Sequence, residues 1–531
     1  MSARPAEAGD GEGSVGMRGL AVCLLAFAVL TGGAVAGAAP APLRGGTLII
    51  AEGSDATTLD GHRYTDSPTA ERMEHICETL FWLSPEGRVE PRLATAFTFS
   101  PDGRRLTIRL RPNVRFHDGT PFNAQAAKWN LDRVLDPATR ASFRSLIDRV
   151  TQVVALDANT LVLLTNAPFA PLVLNLTHGG VCMQSPTAIE RLGPDEYARN
   201  PVGTGPYRFR EWVRGDRITV TRFEEYWGEK GHFDAIQWRV IPDDGARVAA
   251  VESGAVHIAK RVPPRDVERL RANRALRVEV QTSLRTIFIG FNVTRPPFNN
   301  RRVRQALNYA INKEAIVRAI LGGTARVSDA PIAPGVAGYA RIMTYEYNVE
   351  RARQLLAEAG YPDGFRATLH HPVARYIRDA EIAAAIQGLL RRVGVEVELV
   401  PMDIGSLVAF TNKPQAEATH QMYMLGWGTV TGDADYGLYN LFHSSQWPPT
   451  GFNRGFYRNP QVDALLDRGR TTLDQAERNR IYREAMALIM EDAPWIFLYS
   501  ESQVTAYRVE VQNVYMHPAE RLVAMQGFFR R

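Results

Sequence analysis

The chain changes character near residue 284, and this change limits the folds that are open to it. Residues 45–283 are rich in short alternating runs that favour strands, separated by Gly, Pro and Asp turns. From residue 284 to about 495, apolar stripes with helical spacing alternate with strand-like runs. Such alternation indicates an α/β domain. Because 531 residues exceed one ordinary core, the sequence predicts two or more domains.

Local signals in the first part predict individual elements. A strand is expected at 45–53, and alternation over 95–116 predicts a hairpin around the turn Pro101-Asp102-Gly103. A helix is expected from about Asn123 to the residue before Pro137. These elements make the first part rich in strands.

The second part carries helix start signals. Residues 302–312 place apolar side chains on one helical face. Asn348 is positioned to cap the next helix, and Asp474 with Glu477 forms a capping box for a helix that runs to about Met490. We expect these helices to pack on a sheet that includes VEVELV (395–400).

The N-terminus carries the features of a secretory signal. A basic residue precedes the apolar run Leu20–Leu30, and Ala34-Val35-Ala36 fits a cleavage site. We therefore expect a signal peptide over residues 1–36 and a periplasmic mature protein, with Met17 as an alternative start. Anchoring as a lipoprotein through Cys23 is disfavoured because this residue lies at the start of the apolar run, not its end.

Charge and cysteine content set further limits. The 62 basic residues are scattered among 57 acidic ones without a basic block, which argues against a nucleic-acid partner. Cys77 and Cys182 remain after signal removal. They are either a disulfide, suited to an oxidising compartment, or two buried thiols. Neither lies in a segment expected to reach a ligand.

No enzyme motif is found. The sequence lacks H-E-x-x-H, G-x-S-x-G and a P-loop, so no catalytic residue is nominated. His75, Cys77 and Glu78 are close in sequence, but a structural role is favoured for want of further ligands at metal-binding spacing. The adjacent His370 and His371 point to opposite faces of a strand. No metal and no cofactor are expected.

One acidic pair is harder to place. Asp433 and Asp435 lie in GWGTVTGDADYGLYNLF, among glycines, threonines and aromatic residues. This composition fits catalytic carboxylates, a metal site or one wall of a ligand cleft. A turn-forming role is as consistent with the sequence as ligand contact.

Several long stretches resemble the peptide/nickel-binding family of extracellular solute-binding proteins (family 5), which serve ATP-driven importers. The resemblance runs from about Gly45 to the C-terminus. It is carried by RLTIRLRPNVRFHDGTPFNAQ (105–125), NPVGTGPYRFREWVRGDRITVTRFEEYWG (200–228), FNNRRVRQALNYAINKEAIV (298–317) and RARQLLAEAGYPDGF (351–365). Residues 426–453 look most like glutathione-binding members.

The resemblance implies an α/β fold of two lobes that close over a ligand about a hinge of crossing strands (type II, the large cluster with an extra subdomain). The expected division is lobe I from 45–80, 201–283 and 496–531, an extra subdomain at 81–200, and lobe II at 284–495.

The resemblance also implies a ligand site. Dipeptide binders have an aspartate for the ligand ammonium four residues after the Gly of Gly-Trp, where this chain has Val430. Asp433, Asp435 or Asp55 is expected to substitute. Arg375, in Pro-Val-Ala-Arg, matches the arginine that grips the ligand carboxylate, the alternative being a surface ion pair. The expected ligand-binding residues are Ser54, Asp55, Arg375, Trp427, Gly428, Thr429, Asp433 and Asp435.

The function implied is a non-enzymatic, monomeric, periplasmic binding component that captures glutathione or a short peptide for an ABC permease. Two alternatives stay open. One is capture of a nickel chelate held partly by His371, and the other, from a different class, is an exported hydrolase.

Overall fold

A computed structural model describes residues 43–373 and 375–530. The predicted signal segment, residues 1–36, lies outside this range. Within the range, every helix is too short or too polar to cross a membrane.

The first part of the described chain is mainly strand, as predicted. Its elements are β1 (Thr47–Glu52), α1 (Ser67–Ile76), β2 (Phe81–Leu83), β3 (Val89–Pro91), β4 (Ala94–Phe99), β5 (Arg105–Leu110), α2 (Ala124–Leu135), β6 (Val150–Asp157), β7 (Thr160–Thr165), α3 (Leu172–Asn175), α4 (Pro186–Leu192), α5 (Pro194–Tyr197), β8 (Tyr207–Val213), β9 (Arg217–Arg222), β10 (Ala235–Val240), α6 (Asp244–Ser253), β11 (Ile258–Lys260), α7 (Val267–Arg271) and β12 (Leu276–Phe291).

Helices are longer and more regular in the second part. Its elements are α8 (Arg301–Tyr309), α9 (Lys313–Ala319), β13 (Arg326–Val327), α10 (Val349–Glu358), β14 (Phe365–Pro372), α11 (Asp379–Arg391), β15 (Val395–Met402), α12 (Ile404–Thr411), β16 (Met422–Gly428), α13 (Ala434–Phe442), α14 (Pro460–Thr471), α15 (Gln475–Asp492), β17 (Trp495–Arg508), β18 (Val511–Gln512), β19 (Tyr515–His517), β20 (Arg521–Val523) and β21 (Phe528–Phe529).

The predicted starts of α2, α10 and α15 are confirmed. The side chains of Asn123, Asn348 and Asp474 each accept a hydrogen bond from a backbone N–H in the first turn of α2, α10 and α15. Each satisfies a donor that the helix itself leaves unpaired. The predicted hairpin is β4–β5, whose turn places Gly103 at φ +65°.

One large mixed sheet runs through the molecule in the order β15-β14-β16-β12-β17-β11-β1-β10-β9-β8. The long strands β12 and β17 pair antiparallel along their length and connect the two halves of this sheet. Their register shifts between Thr282 and Thr286 of β12. The two strands therefore pass from one half to the other with an irregularity between them.

Separate hydrophobic cores lie on either side of this crossing. One side packs β1, β8–β11, α1 and the C-terminal strands, and we call it lobe I. The other side packs α8–α15 with β14–β16, and we call it lobe II. A further core belongs to β4–β7 with α2 and α3. The four strands β4–β7 form an antiparallel sheet of their own.

Candidate ligand cleft

A cavity of about 400 Å³ lies between the lobes. Lobe I contributes residues around α1, including Asp66 and Glu74, together with Arg521. Lobe II contributes Arg375 and Arg454 as well as the end of β16. A cavity of this size, between two lobes and with converging polar groups, is typical of a small-molecule site.

Aromatic side chains form one wall of the cavity. The ring of Trp427 lies 5.1 Å from that of Tyr436 and 4.9 Å from that of Phe452, measured between centroids. The Trp427 indole Nε1 is buried and has no hydrogen-bond partner among the described residues. Trp427 therefore contributes an aromatic face to the cavity wall, and its indole N–H is left without a partner among these residues.

Arg375 lies at the cavity, as predicted from the sequence. The backbone N–H groups of Arg375 and Tyr376 donate to Asp379 Oδ2 at 2.9 and 3.0 Å, and Arg261 Nη1 donates to the Arg375 carbonyl at 2.8 Å. The residue is 9% exposed. Burial, together with the charges of Arg261 and Arg285, lowers the pKa of Arg375.

No carboxylate in the described part of the chain forms an ion pair with the Arg375 guanidinium, which lies 5.0 Å from the Tyr376 ring centroid. The charge of Glu520 acts on Arg375, but this carboxylate is bonded to Arg285. A buried cation without a directly bonded anion is costly, so the geometry favours an anionic ligand group at this position.

Arg454 is a second buried arginine that sequence reasoning missed. It is 8% exposed and lines the same cavity. Its Nε has no hydrogen-bond partner among the described residues, and burial lowers its pKa. The segment that carried the family resemblance, 426–453, ends one residue before it. An arginine inside an aromatic, Gly-containing loop was the available signal.

Glu74, on α1, is a cavity acid, like Asp66, that the sequence did not indicate. One of its oxygens, Oε1, pairs with Arg521 Nη1 at 2.9 Å. The other, Oε2, is buried without a partner among the described residues. Burial raises the pKa of Glu74, against the opposing charges of Arg521 and Arg92. The free oxygen is suited to accept a hydrogen bond from a ligand ammonium.

Comparison with known proteins identifies the family. The model for bacterial extracellular solute-binding proteins, family 5 Middle, matches residues 88–449. The chain belongs to family 5 of these proteins. Glutathione-binding protein GsiB of Pectobacterium atrosepticum is 36% identical over 476 residues, covering 88% of this chain and 91% of that protein. GsiB of Shigella flexneri is 35% identical over 478 residues, covering 89% and 92%.

Solved structures agree on the fold. DppA from Helicobacter pylori, in complex with the peptide STSA, superposes with a TM-score of 0.85 at 27% identity, covering 92% of this chain and 99% of that one. The predicted two-lobed α/β fold of the family 5 binders is confirmed.

In this family 5 protein, Asp433 and Asp435 do not line the cavity. Asp433 caps α13 by accepting from the Asp435 N–H at 2.9 Å, and it binds Arg478 through both oxygens at 2.8 and 3.0 Å. Asp435 Oδ1 lies 3.5 Å from Arg470 Nε. Burial raises the pKa of Asp435 to about 6. Both acids lie in the interior of lobe II, beside Arg478 and Arg470, and neither is among the residues that line this cavity, which corrects their placement at the ligand.

Other predicted site residues divide between the cavity and its surroundings. Gly428 and Val430 line the cavity, whereas Thr429 between them is buried and donates its N–H to the Leu284 carbonyl at 2.9 Å. Asp55, in lobe I, is bonded within the protein. Its carboxylate oxygens accept hydrogen bonds from Trp212 Nε1 at 3.1 and 3.2 Å and from the Gly215 N–H at 2.9 Å.

Ser54 also lies away from the cavity. Its carbonyl accepts a hydrogen bond from Arg72 Nη2 at 3.2 Å. The structure thus places Ser54, Asp55 and Thr429 beside the cavity walls and not in them. Of the predicted set, Arg375, Trp427 and Gly428 are brought together.

The candidate metal ligands are engaged elsewhere. His371 Nδ1 lies 3.0 Å from the Pro372 carbonyl, and His75 Nδ1 lies 2.8 Å from that of Glu71. Within residues 43–373 and 375–530, no group of three or more His, Cys, Asp or Glu is arranged to hold a metal ion. Cys77 and Cys182 form a disulfide. Cys77 also lines the cavity, so the expectation that neither cysteine approaches the cleft is wrong for Cys77.

Proposed function

We propose that this chain is the substrate-binding component of an ATP-driven importer, and that it captures glutathione or a short peptide in the cleft between its lobes. The observation that carries the proposal is the buried Arg375 guanidinium, which faces the cavity without a carboxylate partner among the described residues. The relatives named as glutathione-binding support the choice of ligand.

The charged groups suit a zwitterion. A ligand carboxylate at Arg375 gains a bidentate, charge-assisted pair with a buried guanidinium. A ligand ammonium has the free Glu74 Oε2 as its acceptor. Val430 supplies only methyl groups at the position where dipeptide binders have an aspartate. We therefore assign the ammonium site to Glu74, in place of Asp433, Asp435 and Asp55.

Closure follows from the two crossing strands. The register shift between Thr282 and Thr286 lies where β12 passes between lobes, and we propose it as the hinge. Arg285 lies next to this shift and donates Nε to Glu520 at 2.7 Å and Nη1 to the Gly426 carbonyl at 3.0 Å. A single side chain thus ties the C-terminal segment of lobe I to Gly426 of β16, the residue before Trp427.

The proposed division is lobe I at 45–80, 201–283 and 496–531, the extra subdomain at 81–200, and lobe II at 284–495. A monomer that is exported to the periplasm by residues 1–36 and delivers its ligand to an ABC permease fits the family. We propose no catalytic role for this chain.

Isothermal titration of mature protein stripped of bound ligand tests the proposal. Reduced and oxidised glutathione, Ala-Ala, longer peptides and nickel are compared. Arg375→Ala should weaken binding of the preferred ligand by about 2–5 kcal/mol, and Arg375→Lys should recover only part of this because the bidentate geometry is lost. Arg366→Ala is the matched control, since Arg366 is an exposed residue of β14 that pairs with Glu396.

Wild-type affinity in Arg375→Ala would show that this residue does not hold the ligand. Binding of Ala-Ala or nickel, with none of either form of glutathione, would overturn the ligand assignment. Ligand at about a hundred times its Kd should also stabilise the fold by about 2.7 kcal/mol, giving an independent melting readout.

A further inference from the structure

The cavity contains more positive charge than its own acids neutralise. Its lining arginines fall into two groups. Arg285, Arg521 and Arg92 are paired with Glu520, Glu74 and Glu78, respectively. Arg375 and Arg454 have no ion pair with a carboxylate in the described part of the chain. The charges of Glu501 and Glu520 act on Arg375 at longer range, but both acids are shared with Arg285 and Arg261. Two buried guanidinium groups in one cavity are thus left without a directly bonded anion.

Arg454 is held in place by its neighbours. The Asn453 amide donates to the carbonyls of His443 and Tyr457 at 3.2 and 2.9 Å and accepts from the Tyr457 N–H at 3.1 Å. The His420 ring nitrogen lies 2.8 Å from the Arg454 carbonyl. The backbone of the loop that carries Arg454 is therefore held in place before a ligand arrives.

The surroundings of Arg454 leave its charge uncompensated. Its guanidinium carbon lies 5.5 Å from the Phe452 ring centroid, and the side chain is more than nine-tenths buried. A cation–π contact offsets only a small part of the cost of burying a charge. The unpartnered Nε, together with the terminal nitrogens, can present two parallel N–H donors to a carboxylate.

We propose that Arg454 is a second anion-recognition residue, and that this cleft selects ligands with two acidic groups. The proposal rests on the function proposed above, since it requires that the cavity binds a ligand. Glutathione has two carboxylates and one ammonium, which matches Arg375, Arg454 and the free Glu74 oxygen. A dipeptide with neutral side chains has one of each and leaves one guanidinium unpaired.

The experiment uses two analogues that each lack one carboxylate. Glutathione glycyl ethyl ester blocks the C-terminal carboxylate, and 4-aminobutyryl-Cys-Gly lacks the α-carboxylate of the glutamyl residue. Wild-type protein should bind each at least about thirtyfold more weakly than glutathione, because a buried guanidinium is then left unpaired. Arg454→Met should bind glutathione and one of the two analogues with equal affinity, and Arg375→Met should do so for the other analogue.

Controls separate lost recognition from lost folding. Circular dichroism and melting temperature should show that both Met variants fold, and Arg454→Lys should regain part of the discrimination. If Arg454→Met keeps the wild-type affinities for glutathione and both analogues, the inference is wrong while solute capture through Arg375 stands.

A second comparison keeps the inference testable if glutathione does not bind. Wild-type protein is titrated with Ala-Glu and Ala-Gln, and the ligand that elutes from purified protein is identified by mass spectrometry. A preference for Ala-Glu, or an eluted ligand with two acidic groups, supports the role of Arg454 and excludes only glutathione as the ligand. A preference for Ala-Gln, or an eluted ligand with one acidic group, overturns it.

Discussion

Replacement of Asp433 by Asn should reduce stability and leave ligand affinity unchanged. Asp433 is fully buried and binds the Arg478 guanidinium at 2.8 and 3.0 Å. Removing one partner of a buried ion pair costs about 3–5 kcal/mol, because the other charge stays buried. An Asn oxygen can still accept from the Asp435 N–H, so no capping energy is added to this loss.

Two features of the site place the expected loss at the lower end, near 3 kcal/mol. Arg478 keeps hydrogen bonds to the Gly469 carbonyl at 3.0 Å and to the Tyr482 hydroxyl at 3.1 Å. The negative charge of Asp433 also repels that of Asp435, and the substitution relieves this repulsion. The average unfolding entropy of about 2.1 cal/mol/K per residue, taken over Pro42–Arg531, then gives a drop of about 3 °C in Tm.

Scanning calorimetry and titration of the ligand at 25 °C measure the two effects. Asp474→Asn is the control, since Asp474 is an exposed helix cap that also accepts from a backbone N–H, and it should change stability by less than about 0.5 kcal/mol. The reasoning is refuted if Asp433→Asn has the wild-type melting temperature but binds the ligand tenfold or more weakly. Asp433 would then contact the ligand.

Two further predictions concern the disulfide and one buried acid. The double variant Cys77→Ser, Cys182→Ser should lose about 4–5 kcal/mol in urea unfolding, because a loop of 105 residues is released. An unfolding free energy within about 1 kcal/mol of wild type would contradict this. Burial raises the pKa of Asp435 to about 6, above its ordinary value of about 3.9, so the folded state retains this proton longer. Its contribution to stability should fall by about 3 kcal/mol as pH rises from about 4 to 6. Asp435→Asn should remove that slope from the melting temperature, and equal slopes in both proteins would disprove it.

Several features of the fold and site were predictable because they depend on residues close in sequence. Asn348 and Asp474 each bond a backbone N–H three residues ahead, so the capping signal and its partner lie within one turn. The change of pattern near residue 284 reflects the alternation of helices and strands, which is also local. Arg375 and Trp427 were found by resemblance to a family whose ligand-binding segments keep their order along the chain.

What only the tertiary structure decided is which distant groups meet. Asp433 pairs with Arg478, 45 residues away, and Asp55 meets Trp212, 157 residues away. In the sequence, all four residues are as free to contact a ligand as to contact each other. Arg454 and Glu74 gain their importance in the same way, since an unpaired buried charge is defined by the absence of a partner that any distant residue could have supplied. The sequence by itself determined the helix starts, the α/β pattern and the family. The folded structure decided which charges are already paired and which remain for a ligand, because pairing depends on distance in space and not on separation along the chain.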